Sequence, residues 1–231
     1  MPLKLKAVTW NVHSWIGRNG RRDPEHSLEI IKNFKADFVA LQEVELPVLA
    51  NTENSEKIIR EKTGLEVVFG PTLKKRQGLY GNVVLSALPI ISVRRLDLSV
   101  KPREPRGAIE LILQASQTPV RVLATHLGLS AKERHKQLEI LLESLDKNPI
   151  EPTVFLGDLN EWRPGNNFFK KLAHIFFPAP ACRSFPARLP LACLDRVFVK
   201  PAPDSITSKT LSFAGNASDH LPLQVEISWS S

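Results

Sequence analysis

Apolar positions fall into short runs along the chain, and their spacing assigns most of the elements. Leu3 to Trp10 alternates and then becomes continuously apolar, which predicts a strand. Gly17 to Arg22, rich in Gly and Arg, reads as a loop. Asp23-Pro24 offers an N-cap followed by proline at the first helical position, and Leu28, Ile31 and Phe34 would face the core from that helix. Asp37 to Val44 reads as a short apolar strand, and Asn51 to Thr63 as a more polar helix stopped by Gly64.

From Glu66 to Leu127 the pattern changes to recurring Val/Ile/Leu runs punctuated by Pro and Gly: Val67-Phe69, Val83-Leu85, Ile90-Leu96, Ala108-Leu113 and Val120-Ala124. None has helical spacing, so this stretch predicts consecutive strands in an antiparallel meander. Ser130-x-x-Glu133 has capping-box spacing, and Leu138, Leu141, Leu142 and Leu145 then follow a helical period. Thr153 to Gly157 is a buried strand, residues 165–190 are irregular with one short helix, and Leu194-Val199, Lys209-Phe213 and Leu221-Trp229 are closing strands. Strict alternation of strand and helix is absent, which disfavours a barrel or a dinucleotide-binding sheet. Two packed sheets with helices outside fit better.

Composition narrows the class. At 231 residues, with 42% hydrophobic and 24% charged residues, the chain reads as one globular domain over residues 1–231 and excludes disorder and collagen-like repeats. The pair Cys182 and Cys193 makes no disulfide framework and reads as reduced thiols. The N-terminus has no signal-peptide succession and no run is long enough to span a bilayer, so a cytoplasmic protein is expected. The surplus of 31 Lys+Arg over 24 Asp+Glu gives +7 and favours phosphate-bearing partners.

The candidate chemistry collects at strand ends. Asn11, Gln42-Glu43, His126 and Asp158-Leu159-Asn160 end four strands, while Asp195 and Asp219-His220 begin two others. If those two run antiparallel to the first four, Asn11, Glu43, His126, Asp158, Asn160, Asp195, Asp219 and His220 share one rim. Hard oxygen donors without thiolates suit Mg²⁺, with Mn²⁺ or Ca²⁺ as alternatives. A hard metal, a cationic imidazole and amide donors together suit a phosphoryl centre. Each residue alone has an ordinary structural explanation as a turn cap or hydrogen-bonded side chain; the joint occurrence carries the argument. The remaining histidines, His13, His26, His135 and His174, are read as structural.

Trp10-Asn11, Leu41-Gln42-Glu43-Val44, Thr125-His126-Leu127, Gly157-Asp158-Leu159-Asn160, Leu194-Asp195-Arg196 and Ser218-Asp219-His220-Leu221-Pro222 together resemble the endonuclease/exonuclease/phosphatase superfamily, in its order and over nearly the whole chain. The resemblance implies an α/β fold, a four-layer α/β/β/α sandwich of two mainly antiparallel sheets flanked by helices (DNase I-like), and Mg²⁺-dependent phosphoester hydrolysis. It implies Glu43 as principal metal ligand with Asn11 beside it and Asp219 near the same metal. Asp158 would position the attacking water, Asn160 would hold water and phosphate, Asp195 would orient His220, and His126 would contact the scissile phosphate. Base, acid and electrostatic clamp all stay open for His220. Asn82 resembles the supporting polar residue of this site, where pancreatic-type nucleases of the superfamily carry a carboxylate. Arg106 and Arg188 are candidates for substrate phosphate contacts, and Trp162 for a pocket wall, with simple core as its structural alternative. Phe176-Phe177-Pro178 reads as a buried loop anchor rather than a membrane contact.

The expected partner is a phosphoester substrate, nucleic acid slightly ahead of phospholipid, with no membrane-spanning segment and no obligate protein partner. The alternatives are a lipid phosphodiesterase, a small-molecule phosphatase, or a non-catalytic nucleic-acid-binding module on the same fold. A Ser/His/Asp hydrolase lacks its Gly-x-Ser-x-Gly elbow here.

Overall fold

A computed structural model describes residues 2–47, 52–75, 78–146 and 150–230. The chain runs β1 (Leu3–Asn11), α1 (Pro24–Lys32), β2 (Phe38–Pro47), α2 (Thr52–Thr63), β3 (Glu66–Lys75) and β4 (Gly78–Ser86). It continues through β5 (Ile90–Asp97), β6 (Gly107–Ala115), β7 (Thr118–His126), α3 (Ala131–Asp146), β8 (Thr153–Asp158) and α4 (Asn167–Ala173). It closes with β9 (Phe177–Pro178), β10 (Asp195–Lys200), β11 (Ser205–Thr210) and β12 (Leu223–Trp229).

Among the described residues twelve strands form two six-stranded sheets, ordered β11-β12-β1-β2-β4-β3 and β5-β6-β7-β8-β10-β9. Position by position, the two sheets share one pattern of directions. The only parallel pairs among the described residues are β1/β2 and β7/β8, one per sheet. Each is bridged by a helix, α1 or α3, because parallel neighbours need a crossover connection.

Side-chain alternation builds the layers. In β2, Phe38 and Ala40 point between the sheets, while Val39 and Leu41 point toward α1. In β8, Val154 and Leu156 join the inter-sheet core and Phe155 faces α3 and α4. Leu28, Ile31 and Phe34 pack the outer face of the first sheet, and Leu138, Leu141, Phe168 and Leu172 that of the second. The result is the expected four-layer α/β/β/α sandwich. The local signals hold: Asp23 accepts a bond from the His26 N–H at the start of α1, and Ser130 Oγ accepts from the Glu133 N–H before α3.

Two expectations need correction. The strands over 66–127 are not one meander. β3 and β4 belong to the first sheet and β5, β6 and β7 to the second, because Ser86 to Ile90 carries the chain across the sandwich. The strand expected over 209–213 lies at Ser205–Thr210, and Ser212–Ala214 is a 3-10 turn. This edge strand has one face in solvent, and its Ser/Thr alternation is too weak an apolar signal to place it. Asn51, the expected start of the second helix, lies outside the described residues.

Candidate active site

Parallel strand pairs open at their carboxyl ends, where sheets of this kind hold ligands. Asn11 ends β1, His126 ends β7 and Asp158 ends β8. Antiparallel pairing of β10 with β8 puts Asp195 directly opposite Asp158, and that of β12 with β1 returns His220 to the same end. Glu43 reaches the rim differently. The β2/β4 register shifts between Leu41 and Val44, and Glu43 sits in that bulge at φ 58°. Bulges re-aim side chains, and a left-handed glutamate is uncommon enough to mark a constrained site. Asn160 is also left-handed, at φ 51°, a conformation Asn tolerates.

Asp158 is the hub. Its Oδ2 accepts from Asn11 Nδ2 at 3.1 Å and lies 3.6 Å from His126 Nε2 and 3.8 Å from His220 Nε2. Its Oδ1 accepts from the Asn160 N–H at 2.9 Å. The same Asn11 nitrogen donates to Glu43 Oε1 at 3.0 Å, so one amide holds two carboxylates together. Asn160 Nδ2 donates to the Leu127 carbonyl at 2.9 Å, which fixes the amide's orientation, and faces His126 Nε2 at 3.0 Å. Burial, joined by the Arg106 and His220 charges and opposed by Asp158, pushes the His126 pKa down to about 3, so this ring is neutral.

The second histidine is tuned the other way. His220 Nδ1 bonds Asp195 Oδ2 at 2.9 Å, and that oxygen also accepts from Ser184 Oγ at 2.5 Å. Burial works against the imidazolium. The charge and hydrogen bond of Asp195, with Asp158 and Asp219, outweigh it and raise the pKa to about 10. The rim thus holds one neutral and one cationic imidazole on either side of one carboxylate, an arrangement that separates roles between chemically identical groups.

Not all the expected residues interlock. Asp219 stands at the edge, 3.7 Å from His13 Nδ1 and 3.4 Å from Ser218 Oγ. Asn82 Nδ2 donates to the Gly107 carbonyl at 2.9 Å, as does Thr125 Oγ1, so Asn82 braces the strand start beside Arg106 rather than His126. The Arg106 guanidinium is buried, bonds Glu104 at 3.0 Å and has a buried Nε without a hydrogen-bond partner. Arg188 is exposed on the loop whose Ala187 N–H donates to the Asp219 carbonyl. Trp162 is exposed and touches the Phe185 ring, so the core alternative for it fails. Phe176 is buried and Phe177 exposed.

Sequence reasoning missed several neighbours. Tyr80 is buried beside Glu43, and burial together with the Glu43 charge raises its phenol pKa. It shares a strand face with Asn82 two residues on, and that period was the available signal. The Phe185 ring lies 4.7 Å from that of His220. Ser184 belongs to a nonlocal bond that no local pattern encodes. His13, read as structural, faces Asp219. Ser184 and Ser218 bond Asp195 Oδ2 and the Asn11 carbonyl, so among the described residues neither supplies a nucleophile aligned on a histidine Nε2.

Among the described residues no three His, Cys, Asp or Glu side chains form a closed metal cage. The donor set nevertheless fits a hard divalent ion. Two carboxylates converge on one amide nitrogen, leaving concentrated negative charge and an open coordination shell of the kind Mg²⁺ completes with water and substrate oxygens. Asn11 Oδ1 accepts from the His13 N–H at 3.0 Å, so ligation through that oxygen would compete with this bond.

The sequence profile of the Endonuclease/Exonuclease/phosphatase family matches residues 8–220. The chain is 33% identical to the uncharacterised protein YbhP of Escherichia coli K12, covering 96% of each. It superposes on the endonuclease/exonuclease/phosphatase of Beutenbergia cavernae with a TM-score of 0.81 at 21% identity, covering 99% of this chain and 72% of that one. It superposes on the Bacteroides thetaiotaomicron mannosyl-6-phosphatase Bt3783 with a TM-score of 0.76 at 14% identity, covering 96% and 99%.

Proposed function

The chain belongs to the endonuclease/exonuclease/phosphatase family, and from that premise we propose that it is a divalent-metal-dependent phosphoester hydrolase, acting as a phosphodiesterase by in-line attack of water. One observation carries the reading: a buried carboxylate, Asp158, within 3.6 and 3.8 Å of two imidazoles, His126 and His220, and tied through Asn11 to a second carboxylate, Glu43.

Glu43 and Asn11, with Asp219 at the edge, are the groups that would hold the metal. The ion, Mg²⁺ or Mn²⁺, would neutralise charge on the non-bridging phosphate oxygens. Asp158 orients the attacking water and accepts its proton. Asn160 holds that water or a phosphate oxygen through its amide. The Asp195-supported imidazolium of His220 offers Nε2–H to charge developing on the phosphoryl group, a preorganised donor in a largely water-excluded site. Neutral His126 contributes a ring without added charge, and Arg106 supplies a guanidinium with free donors beside it. Asn82 sets the strand start that carries Arg106. Arg188 would reach substrate phosphate from the outer loop.

The mannosyl-6-phosphatase among the similar structures makes a small-molecule phosphomonoester the second reading. The test is hydrolysis of bis-p-nitrophenyl phosphate against p-nitrophenyl phosphate with Mg²⁺ or Mn²⁺. Asp158→Ala and His220→Ala are each expected to lower kcat by at least ~10², the scale of a lost acid/base group. Metal-independent turnover, or near-full activity in both variants, overturns the proposal.

A further inference from the structure

The loops that carry the candidate active site also carry exposed apolar side chains. Leu129 follows the strand of His126, Trp162 lies two residues beyond Asn160, and Leu189 and Leu191 occupy the loop bonded to the Asp219 backbone. Their exposures are 74%, 57%, 64% and 64%, and they make four of the ten exposed large hydrophobic residues among the described residues. Singly exposed leucines need no explanation, but a patch at one rim does.

Hydrogen bonds and a ring contact tie these loops into one surface. Arg134 donates to the Leu129 carbonyl at 2.6 Å and to Glu161 at 2.7 Å, joining the loop of Leu129 to that of Trp162. The Trp162 ring lies 5.7 Å from that of Phe185, and the Leu191 N–H donates to the Phe185 carbonyl at 2.8 Å, which brings in the third loop. The leucines are thus held outward by a fixed framework. Exposed arginines accompany them: Arg163 follows Trp162, Arg188 precedes Leu189, and Arg103 lines one cavity with Leu129.

Resting on the phosphoester-hydrolase reading of this site, we propose that its rim is a docking surface for an anionic phospholipid bilayer, which presents the scissile phosphoester at headgroup depth. Leucine has no π-face on which a nucleobase could stack, so three leucines add little to a nucleic-acid groove. Aliphatic side chains and one Trp at acyl depth, with guanidinium groups at phosphate depth, match the layering of a bilayer interface. The +7 surplus suits either phosphate-bearing partner, and the sequence put nucleic acid slightly ahead of phospholipid; the apolar rim reverses that order.

The full chain is mixed with vesicles of phosphatidylglycerol and phosphatidylcholine, with pure phosphatidylcholine vesicles and single-stranded DNA as separate arms. Co-flotation and tryptophan emission are followed. Trp10, Trp15 and Trp229 are buried, so a blue shift on binding reports Trp162. Expected are co-flotation with phosphatidylglycerol vesicles and a blue shift. Binding should weaken at least about tenfold in Leu189→Ser/Leu191→Ser, the order set by removing two buried leucines, and on pure phosphatidylcholine. Turnover of bis-p-nitrophenyl phosphate should be unchanged in that variant. Absent vesicle binding, undiminished binding by the variant, a leucine-dependent dimer, or a blue shift with DNA alone each overturns the proposal. Vesicle binding without diester turnover would defeat the catalytic reading and leave the surface standing; turnover without vesicle binding would do the reverse.

Discussion

Replacing Glu161 with Gln leaves the Arg134 guanidinium buried without its counter-ion. The two residues are 3% and 4% exposed, and Glu161 Oε2 accepts from both Arg134 Nε at 3.2 Å and Nη2 at 2.7 Å. Breaking a buried ion pair by removing one partner costs about 3–5 kcal/mol. At about 2–4 °C per kcal/mol for a domain of this size, Tm should fall by about 6–20 °C in Glu161→Gln and similarly in Arg134→Leu. Arg134→Leu/Glu161→Leu removes both charges. It still loses the bonds to the Leu129 and Gly128 carbonyls, the Arg163 N–H and the Asn166 side chain, at about 0.5–1.5 kcal/mol each. Its cost should therefore be about 2–6 kcal/mol, below the roughly 6–10 kcal/mol sum of the single variants. The Glu161 carboxyl has a lowered pKa: burial alone would raise it, but the Arg163 N–H, Arg134 and Asn166 together hold it down. A depressed folded-state pKa gives stability that is fully present above the ordinary value near 4.5 and is lost as pH falls through the folded value. The gap between wild type and Glu161→Gln should accordingly close in acid. Thermal melts read the Tm shifts, and urea denaturation at pH 7 and below pH 4 reads the free-energy differences. Single variants within about 1 kcal/mol of wild type, or additive costs in the double variant, would refute the reasoning.

Gly157→Ala should destabilise by about 2–6 kcal/mol, combining a strained φ and overpacking. A Cβ there would lie 1.9 Å from the Thr125 carbonyl oxygen, at φ +149°. Because Thr125 precedes His126, kcat should fall as well, and a wild-type urea midpoint would contradict both. Asp195→Asn removes the largest charge holding His220 protonated while leaving the ring buried beside Asp158 and Asp219, so its pKa should fall from about 10. In wild type a raised pKa gives stability present below pH 6.5 and lost as pH rises toward 10. Histidine NMR titration of metal-free protein reads this directly, and an unmoved His220 resonance would exclude Asp195 as the cause. Chelation should abolish diester turnover, with activity returning on added Mg²⁺ or Mn²⁺; retained turnover in chelator counts against the metal.

The sequence determined those features whose causes are local. Asp23-Pro24 and Ser130 start helices where their side chains meet free backbone N–H groups, and 3.6- and 2-residue periods laid down most elements. Polar groups ending apolar strands marked Asn11, His126 and Asp158, and one beginning a strand marked Asp195, because a buried run bounded by a carboxylate or amide needs a reason for that boundary. Tertiary structure decided the rest. Which sheet receives β4 and which β5 depends on pairing across the whole chain, so a meander and a split sandwich share one local pattern. The two sheets repeat one topology without any repeat of sequence, since direction and order are backbone properties that many apolar sequences satisfy. Glu43 enters the rim only through a bulge whose register β4 sets. The opposite states of His126 and His220 depend on burial and on Asp195, facing one ring across 25 residues of sequence. Such contacts are selected by packing, and neither partner announces the other along the chain.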